Sequence, residues 1–405
     1  MMYYDELETR SPQEREAALG ECLAAQIAAV QALPGYSDSL AGISAPEITT
    51  RDALARLPVL RKSALGEAQA AQRPLGGFTT REATQFAHLF QSPGPLYEPG
   101  DTSHDWWRLG RFVHAGGIGS GDIVQNCFAY HLTPAGMMFE SGARAVGATV
   151  IPAGTGQTDL QVRAAFDLGA TAYAGTPDYL KVILDKATEQ NVSLSITRAA
   201  VSGGALFPSL RAEYADRGIA CLQCYATADL GLIAYESEAV DGMIVDEGVI
   251  VEIVTPGTGT PVVEGEVGEV VVTSLNPDYP LVRFATGDLS AVLPGESPCG
   301  RTNMRIKGWM GRADQTTKIK GMFVRPEQVA DFVARHSEIV RARVIATRDG
   351  EQDVMTVRVE ADGGDTSAFA ASVRDVMKLS GQVEVHAPGT LPRDGKVIDD
   401  QRSYD

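Results

Sequence analysis

The feature that most limits the fold of this chain is the alternation of strand-like and helix-like segments between residues 104 and 204. Short apolar runs end in glycine or polar residues, and amphipathic segments follow them. Repeated units of this kind indicate a largely parallel sheet covered by helices on both faces. The predicted strands are 121–126, 146–151, 171–174 and 198–201, and the predicted helices open at His104 and near Met137 and span 161–168 and 177–191.

Ligands of a parallel sheet bind where its strands end at the carboxyl edge. The loops that follow the predicted strands are therefore the places to look for a binding site. They are 130–136, 153–157, 175–177, 202–208 and 225–231.

The two ends of the chain have other patterns. Apolar residues recur near every third or fourth position over 5–34, which predicts a helix that Pro34 and Gly35 end. Residues 243–275 indicate antiparallel strands at 243–245, 249–253 and 269–273. After Asp314 the pattern favours a small α+β unit with helices 326–336 and 366–379 and strands 342–347, 355–360 and 383–386.

Composition excludes several classes of partner. The 405 residues carry 35 Lys and Arg against 52 Asp and Glu, a net charge of −17, and this argues against nucleic acid or an anionic membrane as partner. No apolar run approaches the ~18 residues of a spanning helix, and the acidic start MMYYDELETR does not resemble a signal peptide. The five cysteines are scattered, which favours a reduced cytoplasmic protein.

Four short motifs follow one another in the last third of the chain. Thr286-Gly287-Asp288 follows an apolar run, and an acid at the end of a strand can accept hydrogen bonds from both ribose hydroxyls of a nucleotide. Arg312 offers a planar fork of donors to ribose or phosphate. Asp314, the segment 318–321 and the segment 392–396 complete the series. Taken alone, each motif could be an ordinary loop.

In this order the motifs resemble the adenylate-forming superfamily of acyl-CoA synthetases, and within it the phenylacetate–CoA ligase family. The resemblance runs through nearly the whole chain. It implies an α/β fold with a large N-terminal domain, 1–313, that contains mostly parallel sheets and a β-rich subdomain at about 240–310, and a small mobile α+β C-terminal domain, 314–405. Lys396 matches the catalytic lysine that bridges the carboxylate and the α-phosphate, and Asp314 matches the hinge acid.

The resemblance also implies a nucleotide site on the large domain. Ser202-Gly203-Gly204 matches the turn that packs on adenine, although a plain strand-to-helix turn is the alternative reading. Tyr225, Ala226 and Thr227 match the turn whose tyrosine stacks near adenine. Asp229 stands where the family's glutamate helps to hold Mg²⁺, and it reaches one methylene less far. Asp288 and Arg312 complete the implied nucleotide-binding set.

The carboxylic acid is expected to bind at the loop after the first predicted parallel strand. Tyr130, His131, Ala135 and Gly136 match the loop that faces an aromatic acid in relatives, with Phe139 and Tyr173 as further apolar wall. The two small residues leave room for a ring. For His131 a structural role is the alternative.

One segment departs from the family pattern. Relatives carry a Ser/Thr/Gly-rich loop ending in lysine, which wraps the β- and γ-phosphates of ATP, whereas this chain has Gln91-Ser92-Pro93-Gly94-Pro95. Prolines have no N–H to donate, there is no lysine, and Glu98 would repel phosphate. The family's occasional Cys/His zinc cluster is not expected either, because Ser297 and Cys299 stand where a Cys-Pro-Cys would be.

Two functions of different classes follow. The first is an ATP-dependent ligase that activates an aromatic, phenylacetate-like carboxylic acid as the acyl-adenylate and transfers it to coenzyme A, with ATP, Mg²⁺ and CoA as cofactors and a homodimer as the implied assembly. The second is a nucleotide-, acyl-adenylate- or acyl-CoA-binding relative that has lost ATP activation, which the altered phosphate loop favours. Ligation to an acidic carrier protein is a weaker third idea, because a net charge of −17 would oppose it.

Overall fold

The computed structural model describes residues 2–204, 206–313, 315–349, 352–392, 394 and 396–402. Ten α-helices occur in these ranges: α1 Pro12–Gln31, α2 Arg51–Leu54, α3 Lys62–Ala71, α4 Gly110–Ala115, α5 Ala135–Ala145, α6 Thr158–Asp167, α7 Pro177–Glu189, α8 Pro208–Asp216, α9 Pro326–Ala334 and α10 Thr366–Met377. Ser11 and Glu14 form a capping box at the start of α1. Part of the predicted helix over 5–34 is therefore confirmed, while Glu6–Thr9 forms a separate 3₁₀ turn.

Twenty strands occur in the same ranges. They are β1 His88–Ser92, β2 Leu96–Gly100, β3 Ile123–Asn126, β4 Thr149–Pro152, β5 Ala172–Gly175, β6 Arg198–Val201, β7 Ala220–Thr227, β8 Gly231–Tyr235, β9 Met243–Val245, β10 Val249–Val254, β11 Gly268–Ser274, β12 Phe284–Ser290, β13 Val292–Leu293, β14 Arg305–Ile306, β15 Thr317–Ile319, β16 Met322–Val324, β17 Ile339–Asp349, β18 Gln352–Ala361, β19 Gln382–His386 and β20 Ile398–Asp400.

The main sheet has nine strands in the order β13-β14-β9-β8-β7-β6-β5-β3-β4. Pairing is parallel from β7 through β6, β5 and β3 to β4, and antiparallel from β7 through β8 and β9 to β14. The sheet is therefore mixed, and its parallel half confirms the strand–helix alternation seen in the sequence. The segment predicted as a buried strand over 146–151 is instead the half-exposed edge strand β4, because no strand covers its outer side.

Smaller sheets complete the architecture of the described residues. β1 pairs with β2, and β10-β11-β12 form a three-stranded sheet. Four strands in the order β19-β18-β17-β20 form the C-terminal sheet, and β15 pairs with β16. No helix in the described ranges is long and apolar enough to cross a membrane.

Contacts between residues divide the chain into two compact units. The first comprises Met1–Val251, Val272–Phe284 and Leu293–Gly308, and the second comprises Glu252–Val271, Ala285–Val292 and Trp309–Asp405. In the first unit the helices pack on the main sheet around buried residues such as Phe112, Phe139 and Tyr173. In the second, α9 and α10 pack on the C-terminal sheet around Phe332 and Phe369.

Two local predictions need correction. The helix expected to open at His104 is absent, because Asp105 and Arg108 have φ values of 49° and 65°, outside the helical region, and the helix begins only at Gly110. Asp105 Oδ2 accepts a hydrogen bond from the Gly110 N–H at 2.9 Å at that start. Thr286-Gly287-Asp288 lies inside β12 and not after a strand.

Candidate active site

The carboxyl ends of the parallel strands bring together the two turns expected to face adenine. Ser202 directly follows β6, and its hydroxyl donates to the carbonyl of Cys224 on β7 at 3.0 Å. Gly203 has φ +71°, and a Cβ added there would lie 3.7 Å from the Phe128 ring and from the Thr176 methyl group. Gly204 is exposed. The turn is thus tied to β7 at Ser202 and open at its glycines, so a flat ring could approach its backbone.

Tyr225, Ala226 and Thr227 are the last three residues of β7. The pairing of β7 with β8 shifts register between Tyr225 and Ala226, which marks a local irregularity in the strand. The Thr227 hydroxyl accepts a hydrogen bond from the Leu230 N–H at 3.3 Å. The three residues therefore stand at the same sheet edge as Ser202.

Asp229, the expected magnesium ligand, is held by a lysine that the sequence analysis did not single out. Its Oδ2 lies 3.2 Å from Nζ of Lys62, the first residue of α3, and the Asp229 side chain is only 1% exposed. Burial raises the pKa of this carboxyl, and the Lys62 ammonium opposes that rise. Asp229 Oδ1 is buried without a hydrogen-bond partner among the described residues.

These residues do not fit a protein-bound Mg²⁺. The ion needs near-octahedral oxygen ligands and usually keeps several waters, whereas one Asp229 oxygen is paired with Lys62 and the whole side chain is enclosed. In the part of the chain that the structure describes, no group of three His, Cys, Asp or Glu side chains is placed to hold a metal.

The segment that replaces the phosphate loop is a β-hairpin. β1 and β2 pair in register from His88 opposite Gly100 to Ser92 opposite Leu96, and Pro93, Gly94 and Pro95 form the turn. Ser92 is buried, and its hydroxyl is hydrogen-bonded to the Glu98 carboxyl group. Ser92 is therefore already engaged and presents no free hydroxyl to a phosphate.

Glu98 does not act as the repelling surface charge expected from the sequence. The residue is 1% exposed, and burial, with Asp229 nearby as a second negative charge, raises its pKa to about 8. At neutral pH the carboxyl is therefore mostly protonated. Its inward orientation follows from the strand alternation of β2, in which Leu96 and Glu98 are buried while Tyr97 is exposed.

The expected acyl pocket is partly assembled around Asn126, a residue that the sequence analysis missed. Its buried side-chain amide donates to the Tyr130 hydroxyl at 2.8 Å and to the Gly136 carbonyl at 2.7 Å. A Cβ on Gly136 would come within 2.8 Å of the Tyr130 ring, so glycine is what lets the ring lie there. Ala135 and Gly136 form the first turn of α5 and are not part of a loop.

Tyr130 also lines a cavity of about 440 Å³ together with Met137 and Glu140 of α5. Burial raises the pKa of Tyr130 well above its ordinary value, and the negative charge of Glu140 adds to the rise. His131 is exposed and is not among the residues lining this cavity. Phe139 and Tyr173 are 3% and 0% exposed, belong to the packed core and do not line this cavity.

In the second unit, one oxygen of the Asp288 carboxyl group accepts hydrogen bonds from two side chains. Its Oδ1 accepts from Arg312 Nη1 at 2.9 Å and from Trp309 Nε1 at 3.0 Å. Gly287 has φ +75°, and a Cβ there would lie 2.8 Å from Arg312 Nη2. The structure thus joins two predicted nucleotide-binding residues. Trp309 was missed, although its place three residues before Arg312 was a possible signal.

Lys396 lies near the end of the described chain in the same unit. Its Nζ is 3.1 Å from Asp399 Oδ1, and about half of the side chain is exposed. Hydrogen bonds from Arg343, Gln401 and Lys396 lower the pKa of Asp399 to about 2, against an opposing effect of burial. Asp314, the expected hinge, falls outside the described residues.

Cys299 lies in the segment where the family occasionally carries a Cys/His zinc cluster, and its thiol is hydrogen-bonded. Cys299 is buried with its Sγ 3.0 Å from the Ser297 hydroxyl, and Arg301 Nη1 donates to it at 3.5 Å. Burial raises the pKa of this thiol, but hydrogen bonds from Ser237, Ser297 and Arg301 outweigh burial and lower it overall. All five cysteines are free thiols in the structure.

Curated relatives with sequence similarity share one description. The chain is 28% identical over 380 residues to the phenylacetate-coenzyme A ligase of Thermus thermophilus, an alignment covering 89% of this chain and 84% of that protein. It is 28% identical over 380 residues to the Pseudomonas putida enzyme of the same name, with 87% and 85% coverage. The Escherichia coli enzyme of that name is 29% identical over 294 residues, with 68% and 67% coverage. No protein-family model matches the chain.

Solved structures agree on the fold. A crystal structure of 2-hydroxyisobutyryl-CoA ligase in the postadenylation state, in complex with 2-HIB-AMP, superposes with a TM-score of 0.73 at 23% identity and covers 99% of this chain and 93% of that chain. The same ligase with 2-HIB-AMP and CoA in the thioesterification state gives a TM-score of 0.72. The chain is therefore similar in sequence to phenylacetate–coenzyme A ligases over most of its length, and it shares the fold of 2-hydroxyisobutyryl-CoA ligase.

Proposed function

We propose that this protein is an AMP-forming carboxylate–CoA ligase that joins an aromatic acid of the phenylacetate class to coenzyme A. The observation that carries the proposal is the Asp288–Arg312 pair, in which an acid and an arginine expected at the ribose are 2.9 Å apart. The ion pair fixes the orientation of a carboxylate that is expected to accept hydrogen bonds from ribose hydroxyls. Homology along 89% of the chain to enzymes named for this reaction supports it.

The chemistry asks for little covalent participation by the protein. A substrate carboxylate attacks the α-phosphate of ATP, pyrophosphate leaves, and the CoA thiol then displaces AMP from the acyl-adenylate. Positioning and charge stabilisation supply most of the acceleration in such reactions. Lys396 would supply positive charge at the α-phosphate, and its half-exposed side chain would first have to leave Asp399.

Three finer points belong to the same proposal. The acid would lie beside Tyr130 and Gly136, whose close approach leaves a flat ring-lined wall. Asp314 would be the hinge between the half-reactions, with 314–405 as the moving domain. A homodimer is the assembly that the resemblance implies, and the scattered cysteines favour a cytoplasmic location.

The test is pyrophosphate release from ATP in the presence of phenylacetate. We expect release in the wild type and a fall of roughly a hundredfold or more in Lys396→Ala, because the lost charge acts on the transition state. Thioester formation from synthetic phenylacetyl-adenylate and CoA should be nearly unchanged in that variant. Lys378→Ala, a similarly exposed lysine of the same unit paired with Asp375, is the matched control and should behave like the wild type.

The hairpin favours a second candidate, a nucleotide- or acyl-adenylate-binding protein without ATP activation. Its turn is Pro93-Gly94-Pro95, and its Ser92 hydroxyl is engaged by Glu98, so neither offers a cradle for the β- and γ-phosphates. Calorimetry separates the two candidates. AMP binding with no pyrophosphate release from any arylacetate tested would reject the ligase and support the binding protein.

A further inference from the structure

We infer that Lys62, and not a protein-bound divalent cation, supplies the positive charge at Asp229, so that this protein meets the phosphates of its nucleotide with an ammonium group. The inference rests on the proposed function for its nucleotide, but the ion pair itself does not. Lys62 begins α3 and Asp229 follows β7, and the two residues are 167 positions apart in the sequence.

Lys62 is accessible to solvent and Asp229 is not, so only the lysine can contact an arriving ligand. The Asp229 side chain is 1% exposed, whereas 41% of the Lys62 side chain is accessible, with 3.2 Å between Nζ and Oδ2. A ligand arriving from solvent can therefore meet the ammonium while the carboxylate stays covered. A lysine ammonium has three donors, and Asp229 uses one, which leaves two for phosphate oxygens.

The acidic side chain whose charge is coupled to that of Asp229, Glu98, is not open to a cation. Glu98 is buried and hydrogen-bonded to Ser92. The Tyr279 hydroxyl, whose pKa is raised by burial and by both acids, is buried without a hydrogen-bond partner among the described residues. A Mg²⁺ ion at Asp229 would have to displace Lys62 and bring its own waters into an enclosed place.

The altered hairpin lacks the positive charge that Lys62 can supply. Residues 88–100 contain neither lysine nor arginine, so the segment that replaces the phosphate loop contributes no permanent positive charge. An ammonium fixed on a helix of the same unit restores one, 3.2 Å from the buried Asp229 carboxyl group.

The direct test uses Mn²⁺ as the probe for divalent-cation binding, followed by electron paramagnetic resonance on the full-length protein with and without AMP. We expect no protein-held Mn²⁺ in the wild type. Asp229→Asn should give the same Mn²⁺ spectrum as the wild type. Wild-type Mn²⁺ binding that Asp229→Asn abolishes would overturn the inference.

A second measurement asks whether Lys62 meets the phosphates. Calorimetry should show that Lys62→Gln weakens ATP and pyrophosphate binding about tenfold or more while AMP binding changes less than twofold. An equal loss for AMP and ATP would contradict a phosphate contact. Lys181→Ala is the matched control, because its side chain is also 41% exposed and ion-paired, with Asp185 and Glu213. The Mn²⁺ readout needs no ligase activity, so failure of the proposed function leaves it decisive.

Discussion

At the scale of single residues, the Glu98 carboxyl ties stability to pH. Burial raises its pKa from 4.5 to about 8 in the folded protein. Between those two values the folded protein binds one proton more than the unfolded chain does. The free energy of unfolding contributed by this group therefore falls as pH rises through that window, by at most roughly 1.4 kcal/mol per pH unit, and levels off above it.

The prediction is that Glu98→Gln removes this loss. Glutamine keeps the shape and can still pair with Ser92, but it cannot ionise. The stability of the variant minus that of the wild type should be larger at pH 8 than at pH 5. Urea midpoints of both proteins at the two pH values measure this difference. Glu21→Gln, which changes an exposed glutamate on α1, should run parallel to the wild type. Parallel curves for Glu98→Gln itself would contradict the assigned pKa.

At the scale of elements, helix α5 approaches the start of α4 so closely that only glycine fits between them. A Cβ on Gly142 would collide with the Leu109 side chain and lie 2.9 Å from its carbonyl carbon. Overpacking of this kind costs about 1–3 kcal/mol, which exceeds the ~1 kcal/mol that alanine gains over glycine in a helix. We therefore expect Gly142→Ala to lower the free energy of unfolding in urea titrations.

The neighbouring position supplies the control for that substitution. Ser141→Ala, on the same helix, raises helix propensity without adding an atom toward Leu109, so it should leave stability unchanged or slightly higher. If Gly142→Ala matched Ser141→Ala, α5 would be free to shift away from Leu109, and the close packing would not be a constraint.

The same elements show which parts of the fold sequence patterns could predict. Strands predicted at 243–245, 249–253 and 269–273 appear as β9, β10 and β11 within one residue at each end, because alternation and turn residues are local signals. The hairpin around Ser92 was missed as an element, since prolines and a family comparison both suggested a loop. Thr286-Gly287-Asp288 was placed after a strand because it follows an apolar run, whereas β12 continues through Gly287 at φ +75°.

The candidate site was predictable only as far as motifs name residues. Asp288 and Arg312 were both predicted, and the structure joins them. Lys62 carried no signal, because its partner Asp229 is distant in sequence and no pattern encodes a pairing between a helix start and a strand end. Burial of Glu98 was equally hidden, since the direction of a side chain depends on which face of the hairpin meets the core.

At the scale of the whole molecule, net charge affects the stability of the fold. With 35 basic and 52 acidic side chains, the net charge of −17 makes the folded protein repel itself. Raising NaCl from about 10 mM to about 150 mM shortens the screening length from about 30 Å to about 8 Å. We expect the thermal unfolding midpoint to rise by about 2 °C over that range.

A variant with fewer surface acids tests whether net repulsion is the cause. Glu21→Gln, Glu47→Gln and Asp216→Asn together remove three exposed negative charges, so the rise with salt should be smaller than in the wild type. Local ion pairs act in the opposite direction, because salt weakens them. A midpoint that fell with salt would contradict the prediction and would mean that exposed ion pairs such as Arg163–Asp167 and Lys186–Glu189 outweigh the repulsion.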